Sequence, residues 1–241
     1  MAVAVVTGAA RGIGRAIARR LAQDGFTVIA ADIDAQDMAA TTAALADEGL
    51  VVEPVGLDVS NRAGVAALFA RLGKVDVVVN NAGVAAPLLG LAELTLAEVK
   101  RVFAVNVEGV FIVAQEAVRR MESGGRVVNI ASRGHLGGAG AAQYVSSKAA
   151  VVGLTRAMAV ELRWAGITVN AVAPGMVATR MLDEFTPETR RALERREPSG
   201  GAADASAIAA VVSFLASADS GFVNGQVLLA DGGKSLGVPA L

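Results

Sequence analysis

Thr7-Gly8-Ala9-Ala10-Arg11-Gly12-Ile13-Gly14 stands between a short Val-rich run, Ala2 to Val6, and a stretch in which Ile17, Ala18, Leu21 and Ala22 recur at helical spacing. The first run reads as a buried parallel strand and the second as an amphipathic helix. Strand, glycine-rich turn and helix in that order set the free amides of a helix N-terminus where a pyrophosphate can sit. Gly8 permits the tight turn, Gly12 lets the backbone approach the phosphates, and Gly14 lets the helix pack closely on the strand. Ile13 lies between the last two. The spacing G-x-x-x-G-x-G differs from the more common G-x-G-x-x-G of dinucleotide-binding units.

Working outward, Phe26 to Ala31 forms a second apolar strand, with Asp32 at its end, 18 residues beyond Gly14. An acid at that place can hydrogen-bond the adenosine ribose hydroxyls of NAD, and it repels the 2′-phosphate of NADP by like charge. Arg11 argues the other way, because a basic residue in the glycine turn attracts that phosphate. The expectation is NAD, with NADP second. Asp32 has a competing role as N-cap of a helix starting near Ala35, shared with Asp34.

The alternation continues. A helix over about 35–48 leads to a strand at Val51 to Leu57 ending in Asp58-Val59. A helix from Asn61 to Leu72 leads to a strand at Val75 to Val79 ending in Asn80-Asn81-Ala82-Gly83. A long helix from Thr95 to Met121 carries Asn106, and a strand from Arg126 to Ala131 ends in Ser132. A Gly- and Ala-rich loop, Arg133 to Ala142, holds the lone His135. Then come a helix from about Ala142 to Trp164, a strand at Ile167 to Val172, and Pro174-Gly175-Met176-Val177-Ala178-Thr179. A helix near Asp204 to Ala216 and a last strand, Gln226 to Ala230, close the pattern. Strands apolar on both faces and alternating with helices describe an α/β fold, a doubly wound seven-stranded parallel sheet of Rossmann type with helices on both faces. Polar and glycine residues gather at the carboxyl ends of its strands, where such sheets bind ligands. The expectation is one domain over 1–241. Residues 178–200, rich in Arg and Glu with Met181, Leu182 and Phe185 as isolated apolar positions, read as a substrate lid, with an ordinary solvated helix as the alternative.

Tyr144-Val145-Ser146-Ser147-Lys148 contains the sole tyrosine of the chain. Residues i and i+4 share a helix face, so phenol and ammonium point into the same space. A lysine cation beside a phenol favours the phenolate and lowers its pKa from about 10 towards the range of a general base. The alternative is a tyrosine packed in a core and a solvated lysine. Ser132 is the sole hydroxyl between Arg126 and Gln143 and the natural second hydrogen-bonding group for Tyr144.

Composition narrows the chemistry. With no cysteine and one histidine, the usual zinc sites cannot be assembled and no metal is expected. No nucleophile elbow surrounds His135, which argues against a Ser-His-Asp hydrolase. A net charge of −1 and a pI near 5.9 supply no electrostatic footprint for nucleic acid or an anionic membrane. The 54% of hydrophobic residues are spread in short runs, none reaching the roughly 18 residues of a membrane span. No signal peptide is read after Met1, and a cytoplasmic location is the default expectation.

Thr7 through Gly14, Asp58, Asn80-Asn81-Ala82-Gly83, Asn106, Ser132 with Tyr144 and Lys148, and Pro174-Gly175 with Thr179 together resemble the short-chain dehydrogenase/reductase family, in its single-domain form, from Thr7 to Gly233. The resemblance implies that Tyr144 is the general acid/base. Lys148 would hold the nicotinamide ribose and lower the tyrosine pKa. Ser132 would hydrogen-bond the substrate oxygen and steady charge developing on it. Asn106 would interrupt its helix to hold a water linking Lys148 to solvent. Gly8, Arg11, Gly12, Ile13 and Gly14 would cradle the cofactor, with Asp32 and Ile33 at the adenosine end. Asp58 and Val59 would meet the adenine, and Asn80, Ala82 and Gly83 would border the adenosine ribose. Pro174 and Gly175 add cofactor contacts, while Val177 and Thr179 would hold the carboxamide. The interval from Ser132 to Tyr144 is one residue shorter than the commonest family spacing, which bears on the conformation around His135. That from Asp58 to Asn80 is several residues shorter.

The expected activity is an NAD-dependent interconversion of a secondary alcohol and a ketone. The pocket would be walled by the His135 loop, Ala85 to Leu89, and Met181 to Phe185. These walls favour a small cyclic, aromatic or aliphatic alcohol, and His135 is a candidate to hydrogen-bond a polar substrate group. The enzyme alternative is an NADPH-dependent 3-oxoacyl-[acyl-carrier-protein] reductase, against which stand Asp32 and the lack of a basic residue in Val84 to Leu89. A regulator that keeps the fold without catalysis is the reading from another class. Family members of this length imply a homotetramer, joined through the Ala- and Val-rich helix faces that carry Asn106 and Tyr144.

Overall fold

The Val-rich stretch Val3–Thr7 forms β1 inside the sheet, with Ala4, Val5 and Val6 buried on its two faces. The computed structural model of the chain describes residues 1–85, 88–182 and 186–237. In it β1 pairs with β2 (Thr27–Asp32) on one side and β4 (Val77–Asn80) on the other. β3 (Val52–Gly56), β5 (Arg126–Ile130), β6 (Thr168–Pro174) and β7 (Val227–Ala230) complete a seven-stranded sheet in the order β3-β2-β1-β4-β5-β6-β7. Every pairing is parallel. The strand order reverses between β1 and β4, and that crevice at the carboxyl ends is where doubly wound sheets bind ligands.

Helices cover both faces because the strands are apolar on both. On one face α1 (Gly12–Gln23) and α8 (Ala205–Ala216) place Ile17, Leu21, Ile208, Val212 and Leu215 over β1, β2 and β4, joined by Met38 and Leu45 of α2 (Ala35–Asp47). On the other, α3 (Arg62–Arg71), α5 (Gly109–Val118) and α6 (Ala142–Leu162) contribute Val65, Phe69, Ile112, Val113, Val151 and Leu154. Among the described residues no helix is long and apolar enough to cross a membrane.

Some elements depart from their expected limits. The helix expected over 95–121 is three segments: α4 (Leu96–Phe103), a π-helical turn at Ala104–Glu108 and α5. β4 starts at Val77, because the Val75 amide donates to the Arg120 carbonyl and the Asp76 carboxylate accepts from the Val3 amide, outside the ladder. β6 runs to Pro174, where Ala173 and Pro174 pair with Leu229 and Ala230. Ser132 caps a short 3-10 turn, Arg133–Leu136, inside the expected loop.

Candidate active site

The start of α1 is built differently from most of the other helices. Asp34, Asn61, Thr95, Thr186 and Asp204 cap their helices with a side-chain oxygen, whereas Arg11 makes no such bond at α1. The first amides of α1 are thus left for an anion. Gly8 (φ +66°) abuts the segment after β4: a Cβ there would lie 2.8 Å from Ala82 Cα. A Cβ on Gly14 would fall 2.0 Å from the Gly8 carbonyl oxygen, and one on Gly12 3.2 Å from Thr179 Cγ2. Thr7 and Asn81 lace the turn to β4. The Thr7 hydroxyl accepts from the amides of Asn81 and Ala82, and Asn81 Nδ2 donates to the carbonyls of Thr7 and Gly8. Ile13 packs against the core below. A turn without Cβ atoms at Gly8, Gly12 and Gly14, with uncapped amides, fits a dinucleotide pyrophosphate.

At the end of β2, Asp32 Oδ2 accepts from the Ala10 amide at 2.9 Å and Oδ1 from the Asp34 amide at 3.0 Å. The cap of α2 is Asp34 alone, accepting from the Asp37 amide. Asp32 therefore ties the glycine turn to β2, and the shared capping role is corrected. Ile33 is exposed. Arg11 points at carboxylates of this chain, pairing with Asp34 at 3.1 Å and Asp37 at 2.7 Å. The exposed Asp58 accepts from the amide and hydroxyl of Ser60, while Val59 is buried with its Cγ2 where a Cβ on Gly109 would stand. The Val59 side chain is thus committed to packing, and only its backbone is left for a ligand.

Asn106 sits on the π-helical turn, fully buried. Its Oδ1 accepts from the Val84 amide at 2.8 Å, and Nδ2 donates to the Val84 carbonyl and to Ser147 Oγ, each at 3.1 Å. The wider turn aims one carboxamide at both a strand-end loop and α6. Gly83 lies between this group and Lys148, since a Cβ on it would be 3.2 Å from Asn106 Oδ1 and 3.5 Å from Lys148 Nζ. Beneath, the Asn80 amide donates to Asn129 at 2.9 Å, and Asn129 donates in turn to Thr155 of α6 at 2.9 Å.

Ser132, Tyr144 and Lys148 come together at the end of β5. The Ser132 hydroxyl accepts from the Gly134 amide at 3.0 Å and lies near enough to the Tyr144 phenol to draw its pKa down. Lys148 is buried, donates to the Ile130 carbonyl at 2.9 Å and holds its Nζ 5.8 Å from the Tyr144 ring centre. Burial lowers its pKa to about 8. The Tyr144 phenol is raised above its usual value by burial, against a lowering by the Ser132 hydrogen bond. This corrects the expectation of a tyrosine depressed by lysine. Desolvation outweighs the neighbours here, and the ammonium is itself poorly solvated and shared with a carbonyl. His135 Nδ1 lies 2.6 Å from the Ser132 carbonyl, which also accepts the His135 amide at 3.0 Å.

Gly175 packs on Asp231, Pro174 ends β6, and Val177 is buried in a parallel bridge with Ala203. Leu182 is buried, and α7 (Pro187–Glu194) lies beyond it. Of the expected pocket walls, residues 86, 87 and 183–185 lie outside the described residues.

A family model described as enoyl-(acyl carrier protein) reductase matches residues 8–235. A subunit of (2S)-[(R)-hydroxy(phenyl)methyl]succinyl-CoA dehydrogenase from Thauera aromatica is 42% identical over 240 residues, 97% of this chain and 96% of that one. A short-chain dehydrogenase/reductase from Serratia marcescens superposes with a TM-score of 0.90 at 38% identity, over 97% of this chain and 98% of that one. The chain belongs to the short-chain dehydrogenase/reductase family. Another solved member, a gluconate 5-dehydrogenase candidate from Beutenbergia cavernae with bound NADP, has a TM-score of 0.91 at 36% identity, covering 98% and 97%. The chain is thus a dinucleotide-binding oxidoreductase of the short-chain dehydrogenase/reductase family, and the sheet is the one its members share.

Two features of this short-chain dehydrogenase/reductase were outside the sequence reading. Asp37 bridges Arg11 and Arg180, the latter bond joining residues 143 apart. The Asn80-Asn129-Thr155 ladder joins two strands and a helix through bonds between residues 49 and 26 apart. Asp37 had one local signal, an acid three residues after a capping Asp. Arg180 had none, since nothing in the sequence places it beside α2.

Proposed function

We propose that this chain is an NAD-dependent oxidoreductase that interconverts a secondary alcohol and a ketone, with Tyr144 as general acid/base. The carrying observation is the Ser132-Tyr144-Lys148 cluster: a half-buried phenol with the Ser132 hydroxyl beside it and a buried ammonium on the same helix face. In oxidation the substrate hydroxyl gives its proton to the Tyr144 oxygen, while Ser132 donates a hydrogen bond to the substrate oxygen and steadies the charge on it. In reduction the proton returns by the same path. Hydride acceptance and donation would be supplied by a nicotinamide cofactor, whose positive charge in the oxidised form would favour the phenolate.

The α1 amides, with Gly8, Arg11, Gly12, Ile13 and Gly14, hold the pyrophosphate. Asp32 and Ile33, Asp58 and Val59, and Asn80, Ala82 and Gly83 serve the adenosine half. Lys148, Pro174, Gly175, Val177 and Thr179 serve the nicotinamide half. Asp32 supports NAD because its carboxylate stands at the end of β2, bonded to the glycine turn. Asn106 anchors Val84 and Ser147 on either side of Lys148. An aryl or cyclic secondary alcohol is favoured by the apolar walls and by the relative whose name describes dehydrogenation of a hydroxy(phenyl)methyl group. With Nδ1 engaged on the Ser132 carbonyl, His135 has Nε2 left for a polar group of the substrate.

One catalytic domain with a lid over about 178–200, acting as a cytoplasmic homotetramer, completes the reading. The tetramer is supported by the exposed face of α6, where Ala149, Gly153, Ala157 and Val160 form an apolar stripe that Trp164, in the turn after the helix, extends. The test is the initial rate of reduced-nicotinamide formation with NAD and with NADP across linear, cyclic and aryl secondary alcohols. Turnover with NAD is expected. Activity confined to 3-oxoacyl thioesters with NADPH would replace this reading with the carrier-protein reductase.

A further inference from the structure

A cavity of about 410 Å³ opens beside the glycine turn, lined among others by Arg11, Gly12, Arg15, Asp37, Arg180 and Arg190. Four guanidiniums on one cavity are receptor chemistry for a phosphate monoester, which they bind as planar forks. Most of these forks are already engaged. Asp37 accepts from Arg11 at 2.7 Å and from Arg180 at 2.6 and 3.0 Å, with Asp34 a second partner of Arg11 at 3.1 Å. Arg190 pairs with Glu194 at 2.9 Å.

We propose that Asp37 sets the nucleotide preference of this cleft: by clasping Arg11 and Arg180 it masks a phosphate site that would otherwise receive the 2′-phosphate of NADP. The proposal rests on the NAD reading above. Arg11 belongs to the glycine turn, which Asp32 ties to the end of β2, so the masked forks border the place where the adenosine ribose would lie. A phosphate entering there must displace a carboxylate that already satisfies both guanidiniums. The two arginines hold the Asp37 carboxyl below the usual carboxylate range, which keeps the clasp charged in neutral solution. The side chains of Arg11 and Arg180 are 53% and 64% exposed. Such a solvated ion pair is weak enough for a single substitution to open it. Asp37→Asn keeps the start of α2, because Asp34 caps the helix through the Asp37 amide and not its side chain.

The experiment is a calorimetric titration of the wild-type protein, Asp37→Asn, and Asp37→Asn combined with Arg11→Gln, each with NAD and with NADP. Freeing the guanidiniums should tighten NADP roughly ten- to a hundred-fold relative to NAD, the scale of one or two charge-assisted hydrogen bonds. The added Arg11→Gln should remove most of that gain. If Asp37→Asn weakens both nucleotides alike, Asp37 is only a tether for the segment after Thr179 and the proposal is overturned while the NAD reading stands. A wild-type protein that already binds NADP more tightly than NAD overturns both.

Discussion

The Lys148 ammonium stands 5.8 Å from the centre of the Tyr144 ring while its Nζ donates to the Ile130 carbonyl, so the one buried lysine of the site is held by a neutral partner. Its folded pKa of about 8 lies below the ordinary lysine value of 10.5. Between those values the unfolded chain binds more protons than the folded one, so this group makes stability rise with pH across that window. Below pH 8 the cost of burying the cation is fully present. Lys148→Met should therefore stabilise the fold at neutral pH by roughly 1–3 kcal/mol while abolishing most turnover. The gain should fade as pH climbs through the window. Thermal denaturation of both proteins across that range checks it, and a variant that is less stable at every pH would contradict it.

Tyr144 is raised by burial and lowered by Ser132. Tyr144→Phe should cost roughly 10²–10⁴ in kcat for alcohol oxidation, with nucleotide binding retained. Ser132→Ala removes the lowering hydrogen bond, so the acid limb of kcat/KM against pH for alcohol oxidation, where the phenolate is lost to protonation, should move to higher pH. A limb that stays in place would mean that Ser132 does not tune the phenol.

Asn106 makes three hydrogen bonds from a fully buried carboxamide. Asn106→Ala leaves the half-buried Val84 amide and carbonyl without their partner, a loss of about 1 kcal/mol for each hydrogen bond. The melting temperature should drop, and amide exchange should quicken at Val84 first. Uniform exchange rates with an unchanged melting temperature would show that the loop is held by something else.

Gly14→Ala would set a Cβ 2.0 Å from a backbone carbonyl in the same turn, with no flexible side chain to yield. Nucleotide binding and melting temperature should fall together. Gly73, with nothing within 4 Å, is the control, and its Ala variant should bind nucleotide normally.

What could be read from the sequence follows the range of the forces involved. The turn at Gly8 to Gly14, the strand-helix alternation and the Tyr144-Lys148 pair depend on spacings within one or two turns of chain, and the fold and the cluster were legible from them. The break in the helix at 104–108 was not read from periodicity. It came only with the resemblance, because the π turn is fixed by Asn106 reaching Val84, 22 residues away. The raised phenol pKa depends on how completely neighbouring elements close over Tyr144, and a sequence does not state burial. The Asp37-Arg180 bond is further still from legibility, since two exposed charges on distant segments carry no pattern that pairs them.

Val177 and Ala203 form a parallel bridge, with the Ala178 amide on the Ala203 carbonyl and the Ala203 amide on the Met176 carbonyl, each at 2.9 Å. The two ends of the stretch between them therefore meet at adjacent points. A segment clipped in this way behaves as a cassette: doubling its length adds only about 0.6 kcal/mol to the entropy of closing it. Its anchors on the body are few, among them Arg180 on Asp37, the buried Leu182 and Glu197 on Lys234, and a graft has to keep them. Grafting this stretch from a relative should redirect the clientele of the enzyme long before it endangers the chemistry.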